Sequence, residues 1–430
     1  MFKNALLTCA VSVCLTAPTG VMAETSPDHS LSVVFDWLNR HLADNPQLGA
    51  ARAATAAARG QREAADQPLF NPEIEFELER TGTDTVATGI SQTLDWSRQR
   101  EARTSVADAR LQLSRAEFDA ERQRLAVALL KALIDWNTAT DIRRIRDRQI
   151  ELMETFVDIA ERRHQAGDLG QLDLNLAWLA ASAARFQQSA AHQQQARARQ
   201  ALATLTGMGS GTPPELPEQL PVAERDDQDR LAQLPAIRAA RARIDAARAG
   251  VQLQQRRRRP DPSIGIRLGK EGSDTLTGLR LSLPLFVRNR YRAEVDVATS
   301  QLLQARRQAN NLERTLQAQW RASRLIYEQA RSAWIDWRDN SAVRLDQHSR
   351  LLDRLWQAGE LKTTDYLVQL KQALETETSA IEQRGRAWSA WADYLAASGA
   401  IERWLRPLPE RHRTKKSQPY HPDESLEMRR

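Results

Sequence analysis

One phrase occurs twice in this chain. Ala166-Gly167-Asp168-Leu169, followed by Asp173-Leu174, returns 192 residues later as Ala358-Gly359-Glu360-Leu361, followed by Asp365-Tyr366, with the same internal spacing. Upstream of it the order of features repeats as well. Asn45-Pro46-Gln47-Leu48 and Leu234-Pro235-Ala236-Ile237 each open an Ala-rich helix at a shift of 189. Asn71-Pro72-Glu73-Ile74 and Asp261-Pro262-Ser263-Ile264 each open a proline-marked strand at a shift of 190. After each strand come a Gly-containing turn, a second alternating stretch (Gly89 to Trp96; Gly278 to Phe286) and a very long helix. Landmarks that drift by only three positions over some 130 residues mark an internal duplication, so the fold must be built from two equivalent strand-and-helix units.

The organisation follows from the duplication. Residues 1–23 read as an export signal, with Lys3, an apolar stretch from Ala5 to Leu15, and Val21-Met22-Ala23 before the expected cleavage. The first repeat spans 24–207, with a β-hairpin at about 72–96 and a tip turn at about 166–173. The second spans 229–405, with a hairpin at about 262–286 and a turn at about 358–365. Between them, 208–228 is a Pro/Gly-rich linker that helix and central strand do not tolerate. Residues 406–430 form a polar, basic tail expected to be disordered. Both cysteines, Cys9 and Cys14, leave with the signal, which excludes disulfides, thiolate metal sites and a Cys nucleophile from the mature chain.

Only 18 Gly and 17 Pro punctuate 430 residues, a composition suited to long helices. From Ser97 to Gln165 neither occurs, which allows a helix of nearly 70 residues, roughly 100 Å long at about 1.5 Å per residue. Leu111, Phe118 and Leu125 recur at seven, as do Ile145, Leu152 and Ile159, a coiled-coil seam that needs partner helices. One partner is the return helix from about Gln171 to Leu205; the others come from the second repeat or another copy. Outside the N-terminus no apolar run reaches the length of about 18 residues that a membrane helix needs, so any membrane crossing falls to strands.

The strands are suited to it. Residues 73–79 alternate strictly, with Ile74, Phe76 and Leu78 on one face and Glu73, Glu75, Glu77 and Glu79 on the other. The repeat mate places Ile264, Ile266 and Leu268 opposite Arg267 and small residues, and the last strand places Leu279, Leu281, Leu283 and Leu285 on one side. Each segment has about 9–11 residues, the length of a tilted membrane strand, though a half-buried soluble strand alternates the same way. Alternation also explains how a membrane span can hide inside a mean hydropathy of -0.57. Four strands cannot close a barrel alone, and open edges are not tolerated in lipid, so several copies must combine. Two would give eight strands with a filled interior, and three would give twelve strands around water.

On these features the sequence resembles the TolC-like outer-membrane efflux proteins: the duplicated hairpin and long helix, and the Gly-x-Leu-x-x-x-Asp phrase at each turn, cover essentially the whole mature chain from about Leu31 to Trp404. The cobalt–zinc–cadmium branch of that family is similar in two stretches. These are Asn71-Pro72-Glu73-Ile74 with Ile90-Ser91-Gln92, and Pro260-Asp261-Pro262 with Ser282-Leu283-Pro284-Leu285-Phe286 and Arg288-Asn289-Arg290. The resemblance implies a mainly α fold with a small transmembrane β portion. It also implies a homotrimer forming a 12-stranded β-barrel on a periplasmic helical tunnel, in the outer membrane of a Gram-negative bacterium. The implied partners are a periplasmic adaptor, an inner-membrane proton-driven pump and outer-membrane lipid. Gly167, Leu169, Gly359 and Leu361 then become adaptor-facing tips. Asp173 and Asp365 sit at the start of the return helices, where a carboxylate favours the free N–H groups. Where the family usually has a capping Ser or Thr, this sequence has Gly170 and Lys362; lysine is a poor cap, so Thr363 is the expected substitute at the second tip.

Little other chemistry competes. Seven scattered histidines show no ligand spacing, no nucleophile–base set is evident, and Gly207-Met208-Gly209-Ser210-Gly211 follows a helix where a phosphate loop would precede one. No cofactor, no metal site and no enzymatic activity are expected. A net charge of +6 is too small for nucleic acid at this size. Arg256, Arg257, Arg258 and Arg259 fall where a membrane interface would lie, able to meet lipid phosphates. Glu73, Glu75, Glu77 and Glu79 would line a lumen, partly offset by Arg267, and favour cations. The expected function is a passive exit duct for divalent heavy-metal cations. Drugs or other organic solutes are the alternative cargo, and a periplasmic coiled-coil adaptor or structural protein is a distant alternative.

Overall fold

The structure, a computed structural model, describes residues 27–405 apart from 81, 83, 208–211 and 224–227. The expected signal peptide, the tail and both ends of the linker (208–211 and 224–227) lie outside the described residues. The fold is mainly helical with one small sheet, and each half runs helix, hairpin, long helix, turn and return helix. In the first half these are α2 (Pro46–Ala65) after a leading α1 (Pro27–Ala43), then β1 (Glu73–Arg80), β2 (Asp84–Thr93), α3 (Gln99–Gln165) and α4 (Gln171–Thr206). In the second they are α5 (Pro235–Arg257), β3 (Ser263–Glu271), β4 (Asp274–Ser282), α6 (Arg292–Asp336), α7 (Ala342–Gln357) and α8 (Thr363–Ser398), closed by α9 (Ile401–Trp404).

The long helix of the first half is continuous, as the absence of Pro and Gly predicts. That of the second is not. A π-helical turn at Trp337–Ser341 separates α6 from α7, with no Pro or Gly in it. There Asn340 donates to the Asp336 carboxylate at 2.8 Å and Arg338 pairs with Asp339, polar contacts that hold the widened turn on its exposed side.

α3 is the spine. Near the sheet it packs on α2 and α5, and towards the turns on α4 and α8. Two apolar cores lie along it. The middle one gathers Leu125, Leu129 and Leu133 of α3 with Phe35 and Leu38 of α1, Tyr327 and Trp334 of α6, and Trp388 and Trp391 of α8. The linker is strapped onto this core by side chains bonding its carbonyls: the indole of Trp334 donates to Glu218 at 2.9 Å, that of Trp388 to Pro217 at 3.2 Å, and Tyr327 donates to Pro221. The second core, near the turns, combines Ile145, Met153, Phe156 and Ala160 with Leu174, Leu352, Trp356 and Tyr366. The seam of α3 therefore runs through Ile145, Met153, Phe156 and Ala160, while Leu152 and Ile159 flank it half-buried. Among the described residues no helix is long and apolar enough to cross a membrane.

Candidate functional site

The four strands form one antiparallel sheet in chain order, β1-β2-β3-β4, leaving β1 and β4 as unpaired edges. Register decides its two faces. Ile74 lies opposite Ile90, Ile90 opposite Ile266, and Ile266 opposite Leu279, so one apolar row crosses all four strands. These side chains lie open on the surface: Phe76 is 84% exposed and Leu279 87%, and Ile74, Leu78, Ile264, Ile266, Leu268 and Leu281 are exposed beside them. A contiguous apolar surface of this kind marks an interaction site or a membrane.

The opposite face carries Glu73, Glu75, Glu77 and Glu79 of β1, with Arg267 and Glu271 of β3 and Asp274 and Arg280 of β4. Arg267 pairs with Glu77 at 2.5 Å, Arg280 pairs with Glu75, and Ser91 also donates to Glu75, at 3.3 Å. In a flat sheet β1 and β4 would stand about 14 Å apart, three spacings of about 4.8 Å, so the Arg280–Glu75 contact requires the sheet to curl towards this face. Glycine permits the curl. A Cβ on Gly269 would meet the Val86 carbonyl at 2.3 Å and Ala87 Cβ at 2.6 Å, and one on Gly265 would meet Ser91 Cβ at 3.0 Å. The concave face is therefore mostly charged or small, with Leu276 among its residues, and the convex face is mostly apolar, with Thr88, Thr277 and Lys270 among its residues.

Leu283 and Leu285 depart from the expected strand. β4 ends at Ser282, because Pro284 offers no N–H for the ladder to β3; both leucines are exposed on the extension that follows. Sequence reading also missed how the sheet joins the helices. Asp261, buried before β3, accepts the Ser97 N–H at 2.8 Å, the Ser97 hydroxyl at 3.1 Å and the Gln99 side chain at 2.8 Å. Asp95 caps α3, accepting from the N–H groups of Gln99 and Arg100 at 2.6 and 2.8 Å. The same junction gathers Arg256–Arg259 at the end of α5 with Arg288, Arg290 and Arg292 before or at the start of α6.

At the far end of the shaft each long helix closes through a left-handed glycine, Gly167 at φ +82° and Gly359 at φ +77°. Asp168 N–H returns to the Arg163 carbonyl at 2.8 Å and Glu360 N–H to that of Leu355 at 3.0 Å, the six-to-one bond of a Schellman ending. Asp173 and Asp365 fall in the first turns of α4 and α8. Lys362, not Thr363, occupies the N-cap of α8: its extended backbone (φ -69°, ψ 149°) starts the helix without a side-chain bond, and Thr363 is buried. Leu169 and Leu361 are half-buried against the lower core and so hold the turns to it, while Gly167 and Gly359 stay exposed. The turns interlock, since the Arg163 guanidinium sits 4.5 Å over the Trp356 ring.

The described residues thus set a curled sheet with an apolar exterior on a long helical shaft built from two repeats. Residues 37–208, about two fifths of the chain, match the model of the outer membrane efflux protein family. Solved structures extend the likeness to both repeats. The CmeC outer membrane channel of Campylobacter jejuni superposes with a TM-score of 0.71 at 15% identity, covering 95% of this chain and 98% of that one. The outer membrane protein VceC of Vibrio cholerae gives 0.69 at 17%, covering 87% and 98%. The MtrE outer membrane channel of Neisseria gonorrhoeae gives 0.69 at 18%, covering 86% and 89%. At such identities the likeness shows a shared fold. No curated protein matches the sequence.

Proposed function

We propose that this chain is the passive exit duct of a tripartite efflux system, assembled as a homotrimer. The observation that carries the reading is the curled four-stranded sheet, apolar outside, polar inside and unpaired at both edges. Lipid leaves no open edge unsatisfied, and three such sheets close into a 12-stranded barrel wide enough to hold water. Ile74, Phe76, Leu78, Ile264, Ile266, Leu268, Leu279 and Leu281 then face lipid, with Leu283 and Leu285 below them. Arg256–Arg259 lie at the periplasmic interface beside phospholipid phosphates, and the helices form a periplasmic tunnel. Its tips at Gly167 and Gly359, held by Leu169 and Leu361, meet a periplasmic adaptor that links the duct to an inner-membrane proton-driven pump. Detergent-dependent, heat-modifiable trimers in the outer-membrane fraction are expected; a soluble periplasmic species would refute the duct.

For the cargo, we propose divalent heavy-metal cations. On the concave face the acids Glu73, Glu75, Glu77, Glu79, Glu271 and Asp274 outnumber the bases Arg267 and Arg280, a field that favours cations. Deleting the gene is expected to lower tolerance to zinc, cobalt and cadmium, and the wild-type chain to restore it. The second reading, drugs or other organic solutes, draws on the Arg267–Glu77 and Arg280–Glu75 pairs, which neutralise the middle of that face. Unchanged metal tolerance with increased drug sensitivity would decide for it.

A further inference from the structure

The two unpaired edges carry their own docking instructions, because the chain already contains one copy of the joint they need. β2 of the first repeat pairs with β3 of the second. In a ring of identical chains, β4 of one copy stands to β1 of the next as β2 stands to β3. The inference rests on the trimeric duct above and adds the partner strand and its register.

The equivalence of residues is set by backbone geometry. Glu73 faces Ser91 and Ser263 faces Ser282, so once β1 maps onto β3 with the offset of 190 that joins Pro72 to Pro262, β2 must map onto β4 with an offset of 191. An independent landmark agrees. The turn in which Trp96 N–H bonds the Leu94 carbonyl recurs as Val287 N–H to Leu285, again 191 residues on. Aligning Gly89 with Gly278 by sequence gives 189 instead, which the hairpin pairings do not allow beside an offset of 190 for β1. The difference is two residues of register.

We infer that β4 of one copy pairs antiparallel with β1 of the next in the register Gly278–Glu79, Leu279–Leu78, Arg280–Glu77, Leu281–Phe76, Ser282–Glu75 and Leu283–Ile74. Each pair is the image of an observed one; Arg280–Glu77, for example, copies Gly89–Arg267. The chemistry fits on both faces. Leu279, Leu281 and Leu283 meet Leu78, Phe76 and Ile74, continuing the apolar row around the barrel. Arg280 comes to lie directly opposite Glu77 of the next copy and diagonal to its Glu75 and Glu79, within the reach of cross-strand pairs. The contact that Arg280 makes with Glu75 across its own curled sheet is thus exchanged for contacts between copies.

The register also accounts for the short β4. Leu94 N–H reaches across to the Pro262 carbonyl at 2.9 Å, one rung past the last β2–β3 pair. Its image is Leu285 N–H donating to Pro72 of the next copy. N–H groups alternate sides along a strand, so Pro284 lacks the donor that would face β3, while Leu283 and Leu285 keep theirs for the open edge. The extension that β3 cannot hold is completed by the neighbour.

Disulfide trapping tests the register. The image of Ser91–Gly265 is Ser282–Glu75, a pair whose Cα atoms lie about 4.5 Å apart when not hydrogen-bonded to each other, whereas within one chain the same residues sit on opposite edges. In full-length C9S/C14S protein in isolated outer membranes, S282C/E75C is expected to give disulfide-linked trimers that reducing agent dissolves. S282C/E73C, the pairing from the 189 offset, is expected to give none. Trimers from S282C/E73C alone would overturn the register. If neither pair cross-links, the native mass of the solubilised variants separates two failures: a trimer overturns the register only, and a monomer overturns the trimeric duct with it.

Discussion

Asp261 and Ser97 lie 164 residues apart and are bonded twice, through the Ser97 backbone N–H at 2.8 Å and its hydroxyl at 3.1 Å. Ser97 follows β2 and Asp261 precedes β3, so this buried carboxylate fastens the exit of one repeat's hairpin to the start of the other's at the base of the sheet. Asp261→Ala leaves a buried N–H and hydroxyl without their acceptor, together with the Gln99 amide. At about 1–3 kcal/mol for an orphaned buried group, a loss of roughly 3 kcal/mol is expected. Asp261→Asn keeps one acceptor oxygen and should lose less. Heat dissociation of the detergent-solubilised protein measures both; an alanine variant as stable as wild type would remove this joint from the fold's supports.

The close approach at Gly269 leads to a second expectation. A methyl group there would strike the Val86 carbonyl and Ala87 of the neighbouring strand, which cannot yield because both belong to the sheet. Gly269→Ala should reduce the amount of protein reaching the outer-membrane fraction. Gly82→Ala, at a position with nothing within 4 Å, should not. Equal recovery of the two variants would show that the sheet is looser than its register implies.

These relations mark what could be read from residues alone. Alternation along Glu73–Arg80 assigns each side chain to a face, because a strand's period is local, and the run without Pro or Gly announces α3 for the same reason. The Gly-x-Leu-x-x-x-Asp phrase locates both turns. The curl, the Arg280–Glu75 contact and the Asp261–Ser97 joint were hidden, since each depends on which strand lies beside which. The π-helical turn at Trp337–Ser341 was hidden differently: no helix-breaking residue announces it. Thr363 failed as a cap because packing buries it, and Lys362 can supply the extended backbone without supplying a side-chain bond.

In the helical shaft, Asp141 of α3 accepts from Arg384 of α8 at 2.9 Å and from Arg144 at 2.9 Å, joining the two repeats below the middle core. Burial raises its pKa above the ordinary carboxylate value, against the lowering effect of Arg384 and Arg144. The sign follows from the raised value. The folded chain holds this proton more tightly than the unfolded chain, so the residue's contribution falls as pH rises from the ordinary carboxylate value through the raised one, and acidification restores it. Denaturant midpoints of wild type relative to those of Asp141→Asn should therefore fall as pH rises across that window. Identical pH profiles for the two proteins would contradict the assignment.

The concave face makes the last expectation electrical. Arg280 and Arg267 each hold one glutamate of β1, leaving Glu73 and Glu79 without an arginine partner among the described residues. If this face lines the bore, replacing Glu73, Glu75, Glu77 and Glu79 by Gln should shift the reversal potential of single channels in planar bilayers towards anion preference under a salt gradient. Arg267→Gln with Arg280→Gln should shift it the opposite way by freeing the glutamates that these arginines neutralise. Both effects should shrink at 1 M salt, where the Debye length is about 3 Å. The sheet's pairing is unaffected by the Glu→Gln changes at the level of the backbone ladder, so insertion and conductance should persist while selectivity moves. A selectivity indifferent to all six side chains would mean that ions do not meet this face, and the polar side of the sheet would then have to be assigned to something other than the lumen.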